Sequence, residues 1–324
     1  MTDYACVPCE DLSVWDALVA GSPQGNVFCT SAFLTALEEV RFEPWLVLRD
    51  GRPAAGAVLL DRGGGVSAGY HLCPYLGVLM DAHVSNQPVH RRSRWTLEIL
   101  DCLIATLTGR YRRLRFAFHP AFEDLRPFQW HNYHEPEAGQ FRIHLRYTGL
   151  TRLDGFGCFD EFLCTLPETR RNQYRKAQRQ GYTISGSDDI DRLVALHAAT
   201  FSNQGAACAP GELAAVRSVA AAALASGTGE LLACRTPGGE VANMALFMRD
   251  ANWGYYVTGG SEPALRGQVS GVLLHLEYLR RAQETGLKAV DMIGMNSPPR
   301  GNFKSTLNAE LVPYHVAEWQ APAL

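Results

Sequence analysis

Two stretches of the 324-residue sequence carry residue types that can hold a negative charge. The first is Val290-Asp-Met-Ile-Gly-Met-Asn-Ser-Pro-Pro-Arg-Gly-Asn-Phe-Lys-Ser305. Its apolar start predicts a strand ending at Gly294, and the Pro- and Gly-containing stretch beyond predicts a loop that presents Phe303 and Lys304. A cation beside an aromatic ring at a strand end suits an oxyanion held by Lys304 while the ring of Phe303 stacks on a base. The plainer alternative is a surface Lys beside a buried Phe. Asp291 is a candidate proton acceptor, although an Asp at a strand end is more commonly a turn or cap residue.

The second stretch opens with Thr165-Leu-Pro-Glu168, which reads as a capping box with Pro in the first turn. The helix it starts carries Arg170, Arg171, Arg175, Lys176 and Arg179, has no acid after Glu168, and stops at Gly181. Arg171, Arg175 and Arg179 fall at i, i+4 and i+8 on one face. Like charges at that spacing cost roughly a few tenths of a kcal/mol per pair, and an anion such as phosphate would relieve the repulsion. A solvated basic face is the other reading.

Other chemistry is weakly supported. Nine cysteines, an odd number scattered from Cys6 to Cys234, argue against a disulfide framework. Cys6-Val-Pro-Cys9 has no second pair and falls in an expected frayed terminus, and His131-Asn-Tyr-His134 has no third ligand, so no metal is predicted. No G-x-G-x-x-G follows a strand and no G-x-x-x-x-G-K-[ST] occurs, which argues against a doubly wound nucleotide-binding fold. Only three of the 30 basic residues are Lys: Lys176, Lys288 and Lys304. A coding bias toward Arg explains the excess, so a Lys stands out where a compact, strongly hydrated charge matters.

The elements that must position these residues occur twice. Asp50–Leu60 is a turn followed by an apolar strand, and Pro237–Phe247 repeats it. An aromatic strand follows each, Tyr70–Met80 and Trp253–Thr258. Next come amphipathic helices, one with Trp95, Ile99, Leu100, Leu103, Ile104 and Leu107 stopping at Gly109, the other with Val272, Leu273, Leu276, Leu279 and Ala282 stopping at Gly286. Each helix feeds a strand, Leu114–Phe118 and Lys288–Ile293. Gly63-Gly64-Gly65 reads as a hairpin turn. The duplication predicts α/β architecture with mixed sheets, in two halves packed around a cleft, residues 1–148 and 149–324.

Composition bounds the rest. The chain has 30 Lys+Arg against 33 Asp+Glu, a net charge of −3, and is 47% hydrophobic and 19% charged. It has ample apolar material for a core, and its apolar runs are too short to cross a bilayer. The N-terminal residues lack the pattern of a secretory signal, so a cytoplasmic protein is expected.

The order of motifs resembles the Fem-type aminoacyltransferases and their FemAB-like relatives. The resemblance rests on L-P-x-x-x-R-x-x-x-R-K-A-x-R-x-G from Leu166 to Gly181, on D-x-x-G-x-N followed by F-K (Asp291, Gly294, Asn296, Phe303, Lys304), on Asp124–Trp130 and on Pro74–Gly77. It covers about Val27 to Tyr314. It implies two tandem GNAT (N-acetyltransferase-like) domains and transfer of an amino acid from aminoacyl-tRNA to a free amine, usually on a peptidoglycan precursor, with no bound cofactor. By the same resemblance, Phe303 and Lys304 match the pair that handles the tRNA end and the tetrahedral intermediate. Arg171 and Tyr174, with Arg175 and Lys176 on the same helix, match the element facing the acceptor's phosphates or carboxylates. Tyr255 and Tyr256 match the strand flooring the cleft, and alternation allows only one of them to line it.

This sequence departs from the family's pattern in two places. The family's F-K-x-x-F-G reads Phe303-Lys-Ser-Thr-Leu-Asn308, and no coiled-coil arm interrupts the second half. Two other functions compete. An acyl-CoA-dependent N-acyltransferase would use a pyrophosphate loop, here Arg266-Gly-Gln-Val-Ser-Gly271 with Val269 in place of a Gly. A non-catalytic protein on the same scaffold would lack groups such as Lys304. At net charge −3 any tRNA contact must be local, at Arg91–Arg94, Arg110–Arg115 or Arg170–Arg179.

Overall fold

The computed structural model describes the chain apart from residues 1, 38–39, 203–207, 266–269 and 323–324. From the N-terminus, β1 (Tyr4–Pro8) and α1 (Leu12–Gly21) are followed by α2 (Ser31–Ala36), β2 (Arg41–Arg49) and β3 (Arg52–Asp61). Then come β4 (Val78–Met80), α3 (Ala82–Ser85), α4 (Val89–Arg110), β5 (Arg113–Ala117) and α5 (Arg126–Trp130). Next are β6 (Arg142–Arg152), α6 (Phe159–Thr165), α7 (Glu168–Arg179), β7 (Thr183–Ser187), α8 (Ile190–Ser202) and α9 (Pro210–Ala225). The chain ends with β8 (Gly229–Arg235), β9 (Val241–Arg249), β10 (Trp253–Ser261), α10 (Ser270–Glu284), β11 (Ala289–Asp291), α11 (Pro298–Ser305) and β12 (Glu310–Gln320). The architecture is α/β with mixed sheets.

The chain divides into Met1–Arg146 with Pro313–Leu324, and Tyr147–Val312. The expected division at 148/149 lies close to the first crossing, but the end of the chain belongs with the first unit. Val316 to Gln320 of β12 pair antiparallel with β5, which takes the C-terminal strand back.

In the first unit β1, β2, β3 and β4 form an antiparallel sheet in that order. Its core joins Trp45, Val47 and Ala55 of the sheet to Trp95, Ile99, Leu103 and Leu107 of α4. On β3, Gly56 makes room for α1, since a Cβ there would lie 2.8 Å from Leu18 and 2.9 Å from Trp15. Three sequence expectations are corrected here. The N-terminal residues are not frayed, because Tyr4–Pro8 pairs along β2 and Cys9 is buried. The strand expected over Tyr70–Met80 is only Val78–Met80, with a Tyr70–Cys73 bridge before it. Helix α4 runs through Gly109 and is closed by the Tyr111 N–H on Leu107 O.

The second unit builds its sheet from β7, β8, β9, β10, β11 and the end of β6. Strands β10 and β11 are parallel, paired from Trp253–Ala289 to Tyr255–Asp291. Helices α6, α7 and α10 share a core with Leu232, Phe247 and Val290, while α8 and α9 pack together against β10 and β8. A bulge separates the pair Tyr256–Phe247 from the pair Thr258–Leu246. Tyr256 contacts the α10 ring of His275, whereas Thr258 bonds His197 of α8. Two residues of equal parity therefore serve opposite faces, which only an inserted residue allows.

Two further expectations change in this unit. Thr165 does not cap α7. Its hydroxyl donates to Phe162 O at 2.7 Å within α6, and Pro167 takes the N-cap position of α7 with no side-chain bond. The loop expected to carry Phe303 and Lys304 is the helix α11, opened by prolines in its first turn. The C-terminal end of α7 does follow expectation, with Gly181 at φ +78°.

Gly260 on β10 lies where a Cβ would run into Leu196 O of α8. Gly260→Ala is expected to lower stability by about 1–3 kcal/mol, the scale of overpacking a filled interior. Thermal melting checks this, and a Tm within about 1 °C of the parent would show that α8 yields without strain.

Candidate functional site

The site residues of the second unit assemble around the end of β11. After only three residues of strand the chain turns through Ile293 (φ +48°) and Gly294 (φ +57°). Glycine tolerates that region, but a β-branched residue does so at a cost of order 1–3 kcal/mol and needs outside support. Asp291 supplies it, being fully buried and accepting the Ile293 N–H at 2.7 Å on Oδ1, which also takes the Thr148 hydroxyl. Asn296 fixes the far side of the turn by bonding both Tyr147 N (2.9 Å) and Tyr147 O (2.8 Å).

The turned carbonyls hold a cation. Lys304 of α11 is 6% exposed, and its Nζ donates to Ile293 O and, at 3.3 Å, to Gly294 O. The ammonium also lies 5.4 Å from the centre of the Tyr256 ring. It is thus not the surface Lys of the plainer reading. Its neighbour Phe303 meets the His275 ring edge-on at 5.3 Å and the Arg170 guanidinium at 5.3 Å. Arg170 is held by Thr306 Oγ1 (2.8 Å) and Gln173 Oε1 (2.7 Å), and burial pulls its pKa down.

The departure Leu307-Asn308 from the family's F-G is accommodated. Leu307 is fully buried in the core, and Asn308 adopts φ +56°, the left-handed region that Asn tolerates better than most residues. Its Nδ2 also donates to Thr165 Oγ1 at 2.6 Å.

His275 was not singled out from sequence, where it is one polar position on the apolar face of an amphipathic helix. It is 5% exposed, with Nδ1 2.8 Å from Gly271 O and the ring packed on Tyr256, Phe247 and Phe303. Nδ1 therefore carries the proton, and Nε2 presents a buried lone pair with no partner among the described residues. Burial, with Lys304 adding to it, pulls the His275 pKa down to about 4.

The remaining candidates are placed elsewhere in the unit. Tyr174 points into the core against Phe159, and Tyr255 is fully buried with its hydroxyl on Asp250 at 2.6 Å. Arg175 and Lys176 are exposed. Half-buried Arg171 bonds Cys164 O at 3.4 Å, and its buried Nε–H has no acceptor among the described residues. The structure brings together Lys304, Phe303, Tyr256, Asp291 and Asn296, adds His275, Arg170 and Thr148, and leaves Tyr174 and Tyr255 in the packed interior. The loop residues Arg266–Val269 lie outside the described residues. No group of His, Cys, Asp and Glu suited to a metal occurs among the described residues. Cys6 and Cys9 are free, with burial pushing the Cys6 thiol up to about 12. No helix among the described residues is long and apolar enough to cross a membrane.

His275 also makes the unit acid-sensitive. Its folded pKa near 4 lies below the ordinary 6.5, so the unfolded chain takes the proton first. Stability from this group is full above about pH 6.5 and declines as pH falls toward 4, by roughly 3 kcal/mol over that window. Buried His119 in the first unit behaves alike. Urea unfolding at pH 7 and pH 4.5 checks this, and His275→Gln should flatten the second unit's share of the loss. An unchanged slope in that variant would show the imidazole to be protonated in the folded state.

Residues 168–305 match the model of the acetyltransferase (GNAT) domain. Among solved structures, FemX is similar at 14% identity, covering 96% of each chain with a TM-score of 0.67. A tandem GNAT protein from the clavulanic acid biosynthesis pathway is similar at 12% identity, covering 100% of this chain and 99% of that one with a TM-score of 0.55. The C-terminal domain of a putative lysylphosphatidylglycerol synthetase from Agrobacterium fabrum gives 11% identity, 95% and 92% coverage and a TM-score of 0.51. No curated protein matches the sequence. Residues 168–305 thus form an acetyltransferase (GNAT) domain within the second unit, and the chain as a whole shares the fold of FemX and of the tandem GNAT protein.

Proposed function

We propose that the chain is an aminoacyltransferase that moves an amino acid from aminoacyl-tRNA to the free amine of a peptide-type acceptor, a cell-wall precursor or a peptide natural product. The observation that carries this reading is the buried Lys304 ammonium, fixed at the strand end beside Phe303 and Tyr256. The fold of FemX supports the same class of reaction.

In this reading the neutral amine attacks the ester carbonyl carbon, and the oxygen that gains charge lies next to Lys304. The intermediate collapses by expelling the ribose oxygen, which takes up a proton, while the amine nitrogen loses one. Ester and amine become amide and alcohol. The ester is already activated, so positioning and oxyanion stabilisation supply most of the acceleration. Phe303 stacks on the terminal base of the donor. Asp291 already accepts two hydrogen bonds on Oδ1 and supports the Lys304 turn, so its part as proton acceptor is shared with the open Nε2 of His275. Arg171, whose Nε–H lacks an acceptor among the described residues, would take an acceptor phosphate or carboxylate together with Arg175 and Lys176.

A second reading, N-acyl transfer from acyl-CoA, is favoured by the acetyltransferase (GNAT) domain match. The two separate in one assay that offers charged tRNA or acyl-CoA with a panel of peptide amines. Product with charged tRNA, abolished by RNase, is expected. RNase-insensitive transfer from acyl-CoA would install the second reading. Lys304→Met should cut turnover by about 10²–10³, the scale of a lost oxyanion donor. A fully active Lys304→Met enzyme would leave the ammonium a structural tie of the turn.

A further inference from the structure

The first unit carries a charged surface that the transfer step leaves unused. Along the antiparallel pair of β5 and β12, Arg115 stands opposite Glu318 and Arg113 opposite Gln320, so these four side chains share one face. A cavity of about 810 Å³ opens there, lined by Arg113, Arg115, Arg142, Glu318 and Trp319 among others. Three guanidinium groups meet one lining carboxylate, and Glu318 lies 3.3 Å from Arg115 and 3.4 Å from His144. Arg113 and Arg142 are exposed. Trp319 is 5% exposed, and its buried Nε1–H has no acceptor among the described residues.

Exposed aromatic rings lie on the chain segment that leads into the loop lining this cavity. The loop from Pro136 to Phe141 lines it, and Asn132 is tied to that loop through Gly139 O at 2.7 Å and Ala138 O at 3.1 Å. On either side of Asn132, Trp130 and Tyr133 are 50% and 65% exposed, and the Arg126 guanidinium lies 5.4 Å from the centre of the Trp130 ring. Guanidinium groups suit phosphate oxygens, and exposed rings suit unstacked bases. Glu135 and Glu137 on the bordering loop are exposed, which disfavours a continuous anionic sheet such as a membrane while leaving room for a discrete phosphodiester strand.

We propose that the β5–β12 face of the first unit, with Trp130 and Tyr133, is a docking surface for the RNA backbone of the donor tRNA. The inference rests on the proposed aminoacyl-tRNA reading and adds a contact area for the tRNA body. With a net charge of −3 the chain has no global attraction for RNA, so a local patch must supply it.

The test measures binding of unfractionated deacylated tRNA across a salt series. It compares the parent with Arg113→Gln/Arg115→Gln/Arg142→Gln and with a charge-matched control, Arg41→Gln/Arg217→Gln/Arg249→Gln, drawn from exposed positions elsewhere. Thermal melting confirms that each variant folds. Each lost phosphate contact should reduce the slope of log K against log salt by about 0.7–0.9, so the first variant should lose about 2–3 and bind about 10–100-fold more weakly at low salt. The control should bind like the parent. Trp130→Ala/Tyr133→Ala should weaken binding by about fivefold or more, as expected for lost stacking.

If parent and Arg113→Gln/Arg115→Gln/Arg142→Gln bind tRNA alike, the surface is refuted while the aminoacyl-tRNA reading stands. If the surface variant alone loses tRNA yet the parent transfers no amino acid, the surface stands and the reaction assigned to the second unit fails. A parent that ignores tRNA and binds phosphatidylglycerol vesicles overturns both.

Discussion

An ammonium group buried to 6% exposure sets the terms for the second unit. Taking such a charge out of water is tolerable only where polar groups already point at it. Here they are the carbonyls of Ile293 and Gly294, and both face Lys304 because the chain leaves β11 in left-handed conformations. That turn is unfavourable for Ile293 by itself. It is held by the Asp291 carboxylate on one side and by Asn296 against Tyr147 on the other. Met292 N on Gly149 O at 2.7 Å ties the same turn to β6. One cation thereby links β6, β11 and α11.

The second constraint is that a second positive charge beside it is unfavourable. His275 stays neutral under burial, and its ring completes an aromatic wall with Tyr256 at 4.5 Å and Phe303 at 5.3 Å. The wall depends on the bulge in β10, which keeps Tyr256 on the α10 side while Thr258 turns to α8. Stacking of Phe247 on Tyr278 at 3.8 Å anchors α10 behind it. A strand irregularity, rather than a loop, therefore brings the Tyr256 ring to the Lys304 ammonium.

Much of this was legible in the sequence, and the failures have physical causes. Helical periodicity located α4 and α10, because apolar stripes at fixed spacing must be buried, whereas α7 was read from its basic residues and its closing Gly181, and the repeated order of elements pointed to two units. The stretch Tyr70–Met80 looked like one strand, yet it joins the sheet only over Val78–Met80 with a Tyr70–Cys73 bridge before it, since β-forming residues make a strand only where a neighbouring strand is supplied. Phe303 and Lys304 were expected on a loop because Pro and Gly precede them, but two prolines at the start of a helix cost no hydrogen bond there. His275 escaped notice because a lone His at an apolar helical position carries no signal of its own. Its interest comes from Tyr256 and Phe303, which are distant in sequence and adjacent only in the folded unit.

The scarcity of lysine now acquires a structural sense. Lys176 and Lys288 are exposed, where Arg would serve equally, whereas Lys304 is buried. Two successive carbonyls converging on one point match a single nitrogen with three donors at the end of a slender stem. A guanidinium spreads five donors over a plane and would leave several of them without acceptors in the same space. Each buried donor without a partner costs about 1–3 kcal/mol. A chain that otherwise writes its cations as Arg thus has a reason in packing to keep Lys at this position. The compact charge that satisfies the turn is also the kind that can sit beside a single developing oxyanion.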